Sequence, residues 1–564
     1  MSEYNISDIK TKYKEDPENT RLAVTILQRY EELKSLRYPY EPVWDEITEY
    51  VLPSLGSFNY TESRLDPERR TRRRLDPTAV IAARTLTSRV IADMTGPGSR
   101  WFDFRVPNPQ IDQMDPVRRF LQSISDKTFS IMNTGSFRMA HIEATTDWIA
   151  YGTACLMREE EDGEIRFTSI PPQQLYIAED KHNVVDTVFR KFKLSVRQIG
   201  QFFGKENLPK STLSELHENP DSEMEVLHCV YPNEDYDDKK VASKYMKFKS
   251  VFLLKEELCV LKIGGFNRMP YHVFRFWKRS GEVYGGSPAI DSLADIRMLN
   301  LMEEANIRSV QLDAFPPLLM AHDSVVMPLK VYPNGTNYGG MSSDGRRLVD
   351  RLFPSGGDKR SLETMLEQKR MAIRSAFFVD PLINRENSIR TAAEVAKRSN
   401  EEMVGISPFL SRYEVEYLTP VLDDLLNYVL RTEKPEVPEA LDGMVPFIEY
   451  TAPLAKTQRA QELNNILQFL QVTQNLAQVA PETLQNLDIN TMFHRLADLF
   501  GVPLDVIKPE AVIQAERAQM EQQQAQQQQM QQLEGGLGSI TSQMAELAKS
   551  GLLKREDLGL PPGE

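Results

Sequence analysis

The chain is poor in cysteine. Cys155, Cys229 and Cys259 are its only three, far apart and odd in number. They form no Cys-x-x-Cys pair, which excludes a disulfide framework and leaves a zinc site without support. Buried or half-buried free thiols in a reducing setting are expected. Long apolar runs are also missing, so no segment of the 564 residues is expected to span a bilayer. The first residues, MSEYNISDIK, have neither a basic start nor an apolar stretch behind it, and no secretory signal is expected. Positive charge is in deficit: 67 Lys and Arg stand against 81 Asp and Glu, a formal net charge of −14. Tight binding to duplex DNA needs many phosphate-neutralising cations, so this balance argues against a chain that grips nucleic acid.

Catalytic patterns are missing as well. There is no Gly-x-x-x-x-Gly-Lys-Ser/Thr loop to cradle phosphates, and GGDKRS at Gly356–Ser361 is too short and misordered. The seven histidines are scattered with no His-Glu-x-x-His pair, and no Gly-x-Ser-x-Gly elbow occurs. The run Glu234, Asp235, Asp237, Asp238, Lys239 and Lys240 sets carboxylates beside lysine, as metal-dependent phosphodiester cleavage requires. It lacks the glycine and distal glutamate of a calcium loop and reads as a charged loop between two strands. No enzyme activity, metal or cofactor is expected. The basic run Arg69, Arg70, Arg72, Arg73 and Arg74 reads as a solvated loop or one that pairs with an acidic neighbour.

What is present is an ordinary soluble composition, 41% hydrophobic and 26% charged, in a chain long enough for several domains. The most informative stretch is Tyr284–Met320, YGGSPAIDSLADIRMLNLMEEANIRSVQLDAFPPLLM. Gly285, Gly286 and Pro288 punctuate the approach to a long helix. Apolar residues recur at helical spacing through Ile290, Leu293, Ile296, Leu299, Met302, Ala305, Val310 and Leu312. Met298, Leu301 and Ile307 widen the apolar surface beyond one stripe. Asn300, Glu304, Arg308 and Gln311 make a narrow polar strip, with Glu304 and Arg308 spaced for an i,i+4 ion pair. Such a helix packs between neighbours and meets water along a line; an ordinary buried helix has the same period.

Elsewhere the pattern predicts helices over 20–52 (broken by Pro39, Pro42 and Pro53), 78–94, 116–133 and 137–151. Strands are expected over 165–170, 184–192, 224–231, 245–254 and 272–277. Helices at 286–314 and 358–378 flank a Gly- and Pro-rich insertion, the order of a hairpin with the insertion at its tip. A polar loop at 380–390 leads to Thr391 and Glu394, a capping box that opens a helix running to 431. Gly405, Pro408 and Pro420 should bend that helix. Residues 433–450 read as a linker or small strand pair. Helices follow at 457–479, 488–500 and from 508, then a Gln-rich tract at 514–532 that extends a helix or stays disordered.

The Tyr284–Met320 stretch resembles the signature of the head-to-tail connector, or portal, proteins of short-tailed bacteriophages. The shared positions are Tyr284, Gly285, Pro288, Asp295, Leu299, Asn300, Pro316 and Pro317. Four more segments resemble the family in order: Arg74–Val106 with Asp76, Thr78, Trp101 and Phe102; Phe137–Met157; Asp186–Gly204 with Arg190, Arg197, Gln198 and Gly204; and Tyr450–Leu470. The first 35 residues, 206–249 and the last 40 show little to match.

The resemblance implies an α+β, predominantly helical, portal-type ring subunit with wing, stem, clip and crown. It places a wing at 1–285, a first stem helix at 286–314, a clip at 315–357 and a second stem helix at 358–378. A tunnel loop and kinked helix follow at 379–432, a crown at 433–512 and a Gln-rich tail or short barrel at 513–564. It implies a homo-oligomer, a dodecamer, at one capsid vertex of the virion, assembled in the host cytoplasm. Its partners would be the terminase large subunit ATPase, tail adaptor proteins, major capsid and scaffolding proteins, and double-stranded DNA passing through. The acidity then suits a channel that lets DNA slide without sticking at one register, although solubility alone would favour it too. DNA-channel candidates are Arg385, Glu386, Arg390, Asn300, Glu304 and Arg308. Clip candidates are Arg346, Arg347 and Arg351, with Lys359 beside them, and subunit-interface candidates are Leu293, Leu299 and Met302. The other reading is a different ring-forming tail or adaptor protein.

Overall fold

A computed structural model describes residues 17–52, 74–320, parts of 341–351, 359–379, 405–450 and short stretches within 463–522, apart from scattered single positions. The described part mixes helix and antiparallel sheet, an α+β fold. It divides into two compact units, the first built from Met1–Asp103, Ile124–Pro435 and Ile448–Leu454, the second from Phe104–Ser123, Glu436–Phe447 and Ala455–Glu564.

In the first unit a five-stranded meander runs through Leu175–Glu179, Val185–Ser195, Glu223–Pro232, Phe248–Leu254 and Cys259–Phe266. Strand side chains alternate between faces, and this sheet buries both. Tyr176, Phe189, Leu227, Cys229, Val251 and Leu253 meet Ile26, Tyr30 and Leu33 of the first helix, Pro17–Arg37. Val226, Leu254 and Leu261 meet Val196, Ile199 and Phe203 of the helix Val196–Phe203. That short helix starts with a capping box: Ser195 Oγ accepts from the Gln198 amide and Gln198 Oε1 accepts from the Ser195 amide. Arg37 fastens the first helix to the sheet by donating to the carbonyls of Gln173 and Leu175, both at 2.9 Å.

A second sheet orders Glu164–Ile170, Thr153–Glu161 and Tyr271–Arg275, all antiparallel. The helix Phe137–Tyr151 packs on it. The glycine that ends this helix, Gly152, has φ of 78°, a conformation that costs glycine little.

The strands at 165–170, 184–192, 224–231, 245–254 and 272–277 form within a few residues of where the pattern puts them. Thr153–Glu161, Leu175–Glu179 and Cys259–Phe266 are additional. In Thr153–Glu161 five buried residues run into three glutamates, so neither alternation nor strand propensity signals it. Cys259–Phe266 carries two glycines, which read as a break until the neighbouring strand pairs with them. The acidic run at 234–240 lies in the connection between two strands, where Lys240 pairs with Asp237 at 3.0 Å; 238 and 239 lie outside the described residues. Among the described residues no group of carboxylates, histidines and cysteines could hold a metal ion. Cys155 and Cys229 are buried and Cys259 is half-buried, all free. Burial pushes the Cys259 thiol up to about 11. The expected crown helices and Gln-rich tract lie mostly outside the described residues, as do Arg69, Arg70, Arg72 and Arg73.

Asp147, in the middle of the helix Phe137–Tyr151, is buried, and burial, with the charge of Glu143 added, pushes its carboxyl up to about 8. A carboxyl whose folded value exceeds its unfolded one holds its proton better in the folded chain. Stability is then greatest below about pH 4 for this group and falls as pH rises toward 8, by at most about 1.4 kcal/mol per unit. Asp147→Asn should therefore stabilise the protein at pH 8 and not at pH 4, as read from urea midpoints at both pH values. An equal shift at both would contradict the linkage.

Candidate functional site: the helical hairpin and its base

The glycine turn before the long helix forms where there is no room for a side chain. A Cβ on Gly285 would lie 2.3 Å from the Gly152 carbonyl oxygen, and one on Gly286 would lie 2.2 Å from the Trp277 ring. The Gly285 amide donates to Thr153 Oγ1 at 2.8 Å. Tyr284 is buried with its hydroxyl accepting from the Ile177 amide at 3.3 Å and its ring against Trp44. Ser287 Oγ accepts from the Ile290 amide (3.1 Å) and donates to the Ala150 carbonyl (2.7 Å), capping the turn Pro288–Asp291. The helix Leu293–Ala314 follows.

This helix packs beside Lys359–Ala376, within two residues of the expected 358–378. The strands Leu318–Met320 and Val349–Arg351 pair antiparallel and close the insertion at its neck, with Arg351 opposite Leu318. Leu366, Ile373 and Phe377 are buried.

The base of the hairpin is polar and buried. Asn300, expected on a water-facing strip, is 6% exposed. Its Oδ1 accepts from the amides of Leu75 (2.8 Å) and Asp76 (3.2 Å), and its Nδ2 donates to the Ile296 carbonyl (2.9 Å). Asp76 accepts from the Thr78 amide at 2.7 Å, opening the helix Thr78–Met94, and its other oxygen accepts from Arg370 Nε at 2.9 Å. Arg370 also pairs with Glu303, and Lys369 with Asp295 at 2.7 Å. Two segments far apart in sequence, one with Asp76 and Thr78 and one with Asp295, Leu299 and Asn300, thus meet across the second helix of the hairpin.

Above this base the helix is open. Leu293 and Leu299 (1% exposed) fill the chain's own core, and Met302 is half-buried, so these interface candidates do not offer a free apolar face. The exposed apolar side chains are Met298, Leu301 (66%), Ile307, Val310 and Leu312. The helix spends Leu293, Ile296 and Leu299 inside near its start, and beyond Asn300 most of its apolar residues are exposed. Glu304 and Arg308 form the expected ion pair on the solvent side. Arg346 and Arg347 are exposed beside the neck. Arg385, Glu386, Arg390 and the Thr391–Glu394 capping box lie outside the described residues.

Downstream, the helical stretch from 405 to Glu433 keeps going through Pro408 and accommodates Pro420 with a π-turn, Glu414–Leu418. It is anchored by two acidic residues not singled out from sequence. Glu416 meets Arg275, and Asp424 meets Arg158 (3.1 Å), His272 (3.3 Å) and Arg268 (3.5 Å). Burial works to raise the Asp424 carboxyl, but His272 and the two guanidinium groups prevail and hold it below the usual carboxylate range. Both sites had a signal: one arginine in the apolar strand YHVFRFW, and one aspartate pair in the apolar run PVLDDLLNYVL.

Asn300→Ala should lower stability by about 2 kcal/mol, because it strands the buried Asp76 amide and the part-buried Leu75 amide. Glu304→Ala should change it by less than about 0.5 kcal/mol, since that pair is in water. Urea unfolding of both variants checks the contrast; equal effects would remove the clamp from the base.

The family described as bacteriophage head to tail connecting protein matches residues 23–507. The chain is 27% identical to a probable portal protein of Bordetella phage BPP-1 over 518 residues, covering 88% of this chain and 91% of the relative. It is 27% identical over 508 residues to the portal protein of Salmonella phage epsilon15, covering 88% and 90%. It is 23% identical over 501 residues to the portal protein of Enterobacteria phage T3, covering 84% and 86%. The chain belongs to the bacteriophage head to tail connecting protein family.

Proposed function

We propose that this chain is the portal subunit of a phage, closing with copies of itself into a ring at one capsid vertex through which the genome passes. The observation that carries the reading is the hairpin: a clamped base and a helix whose apolar residues Met298, Leu301, Ile307, Val310 and Leu312 are exposed, with no cover among the described residues. Several exposed apolar side chains gathered on one helix mark an interaction site. A ring needs heterologous contacts between different patches of successive copies.

In this reading Leu293–Ala314 and Lys359–Ala376 are the stem, and the insertion between them is the clip. The two sheets with their helices belong to the wing. Glu304 and Arg308 lie along the stem toward DNA, with Arg385, Glu386 and Arg390 on the loop that follows it. Asn300 leaves this set and becomes part of the clamp, and Leu301 replaces Leu299 as the leading contact between copies. Arg346, Arg347 and Arg351 on the clip meet terminase before filling and tail adaptors afterwards. Capsid and scaffolding proteins meet the outer surface. The subunit positions DNA and partners, and energy for packaging comes from the docked ATPase.

Negative-stain electron microscopy with mass photometry on the full-length protein should give rings with a central hole and a mass near a dodecamer. Leu301→Asp should leave folded chains that do not close into rings. Filaments from the unaltered protein would favour a tail structural role, and intact rings from Leu301→Asp would move the contact elsewhere.

A further inference from the structure

From 405 to Glu433 the chain is helical, and one turn departs from the α-helix. In Glu414–Leu418 the Thr419 amide reaches back to the Glu414 carbonyl, five residues away. Such a turn is an α-helix with one residue inserted. Ile406, Leu410, Tyr413 and Tyr417 are buried up to and within this turn, and Leu418, Val421, Leu422, Asp424, Leu425 and Val429 are buried from its end onward. Val415, an apolar β-branched residue at the widest point, is 70% exposed.

The inserted residue changes where Glu416 points. Its carboxylate accepts from Arg275 Nε (3.1 Å), Arg275 Nη2 (2.8 Å) and the Arg275 backbone amide (2.9 Å). This is a two-pronged guanidinium contact reinforced by the main chain, the geometry that makes such pairs strong. Arg275 is 1% exposed and has Glu179 on its other side, which Lys278 also holds. Arg412, one turn before Glu416, adds a fourth donor at 2.6 Å. Tyr413 and Tyr417 seat the same turn against the helix Phe137–Tyr151, through Thr145 Oγ1 (2.9 Å) and His141 Nδ1 (2.8 Å). Burial brings His141 down to about 3, so its ring is neutral.

We propose that Glu414–Leu418 is a one-residue insertion that aims Glu416 at Arg275, and that this pair is a latch fastening the helical stretch 405–433 to the strand Tyr271–Arg275. The latch is a property of the single chain. Its purpose rests on the portal reading: the latch fixes this helix to the sheet of the wing.

Hydrogen exchange read by mass spectrometry on the full-length protein tests it with three variants: Glu416→Gln, deletion of Val415, and both together. Each single change should speed exchange across 271–276 and 413–419 by about tenfold or more, because charge-assisted hydrogen bonds hold both segments. The combination should be no faster than the deletion alone, since both changes undo one pairing. Additive effects, or unchanged exchange in Glu416→Gln, would overturn the latch. Where the deletion unfolds the chain, because Pro420 then falls in an ordinary α-turn, Glu416→Gln decides the latch by itself; a folded deletion variant with unchanged exchange overturns the insertion. Mass photometry on the unaltered protein separates the two readings: failure to form rings counts against the portal assignment and leaves the exchange result standing.

Discussion

The hairpin is held at its base by mutually satisfied polar groups, Asp76 and Asn300 buried and Arg370 half-buried. Asp76 has two oxygens and two distinct tasks, starting the helix Thr78–Met94 with one and holding Arg370 with the other. Arg370 reaches on to Glu303, and Asn300 closes the gap by taking two backbone amides. Each of these groups would be costly to bury alone, and a network is tolerated only when its members are satisfied together. That geometric demand fixes the two hairpin helices against Thr78–Met94, while farther along Leu293–Ala314 many side chains are exposed among the described residues.

A second polar anchor does the same for the later helix. Arg275 and Glu416 meet inside a strand-to-helix contact that apolar packing alone would leave free to slide. Apolar contacts tolerate shifts of register, whereas a two-pronged guanidinium pair has one geometry. Asp424 repeats the principle farther along, with two guanidinium groups and an imidazole around one buried carboxylate. The chain therefore uses charge for position and hydrophobic surface for adhesion. This division suits a part that must keep its shape under load.

Much was legible from residues alone. Thr78–Met94 and Phe137–Tyr151 were bounded by their Pro and Gly punctuation, and the Glu304–Arg308 pair by spacing. Local rules decide such features, since caps, turns and i,i+4 pairs involve neighbours in sequence. The order helix, insertion, helix determined the hairpin in the same way. The five ordered segments shared with the connector family determined the family, because a long ordered match is far more specific than any single motif.

Which residues of a wide apolar helix face inward was settled only by the tertiary structure. Period alone put Leu299 on the apolar stripe, Leu301 on its widened margin and Asn300 on a wet strip. The partner that takes Asn300 inward is the backbone of Leu75 and Asp76, some 225 residues earlier. A hydrogen bond over that distance leaves no trace in local pattern, and neither does the pairing of Arg275 with Glu416, 141 residues apart. The sequence by itself determined the elements, their order and the family they belong to. The three-dimensional fold decided which polar groups are sealed inside and which apolar edge is left over, because burial is a property of what arrives from elsewhere in the chain.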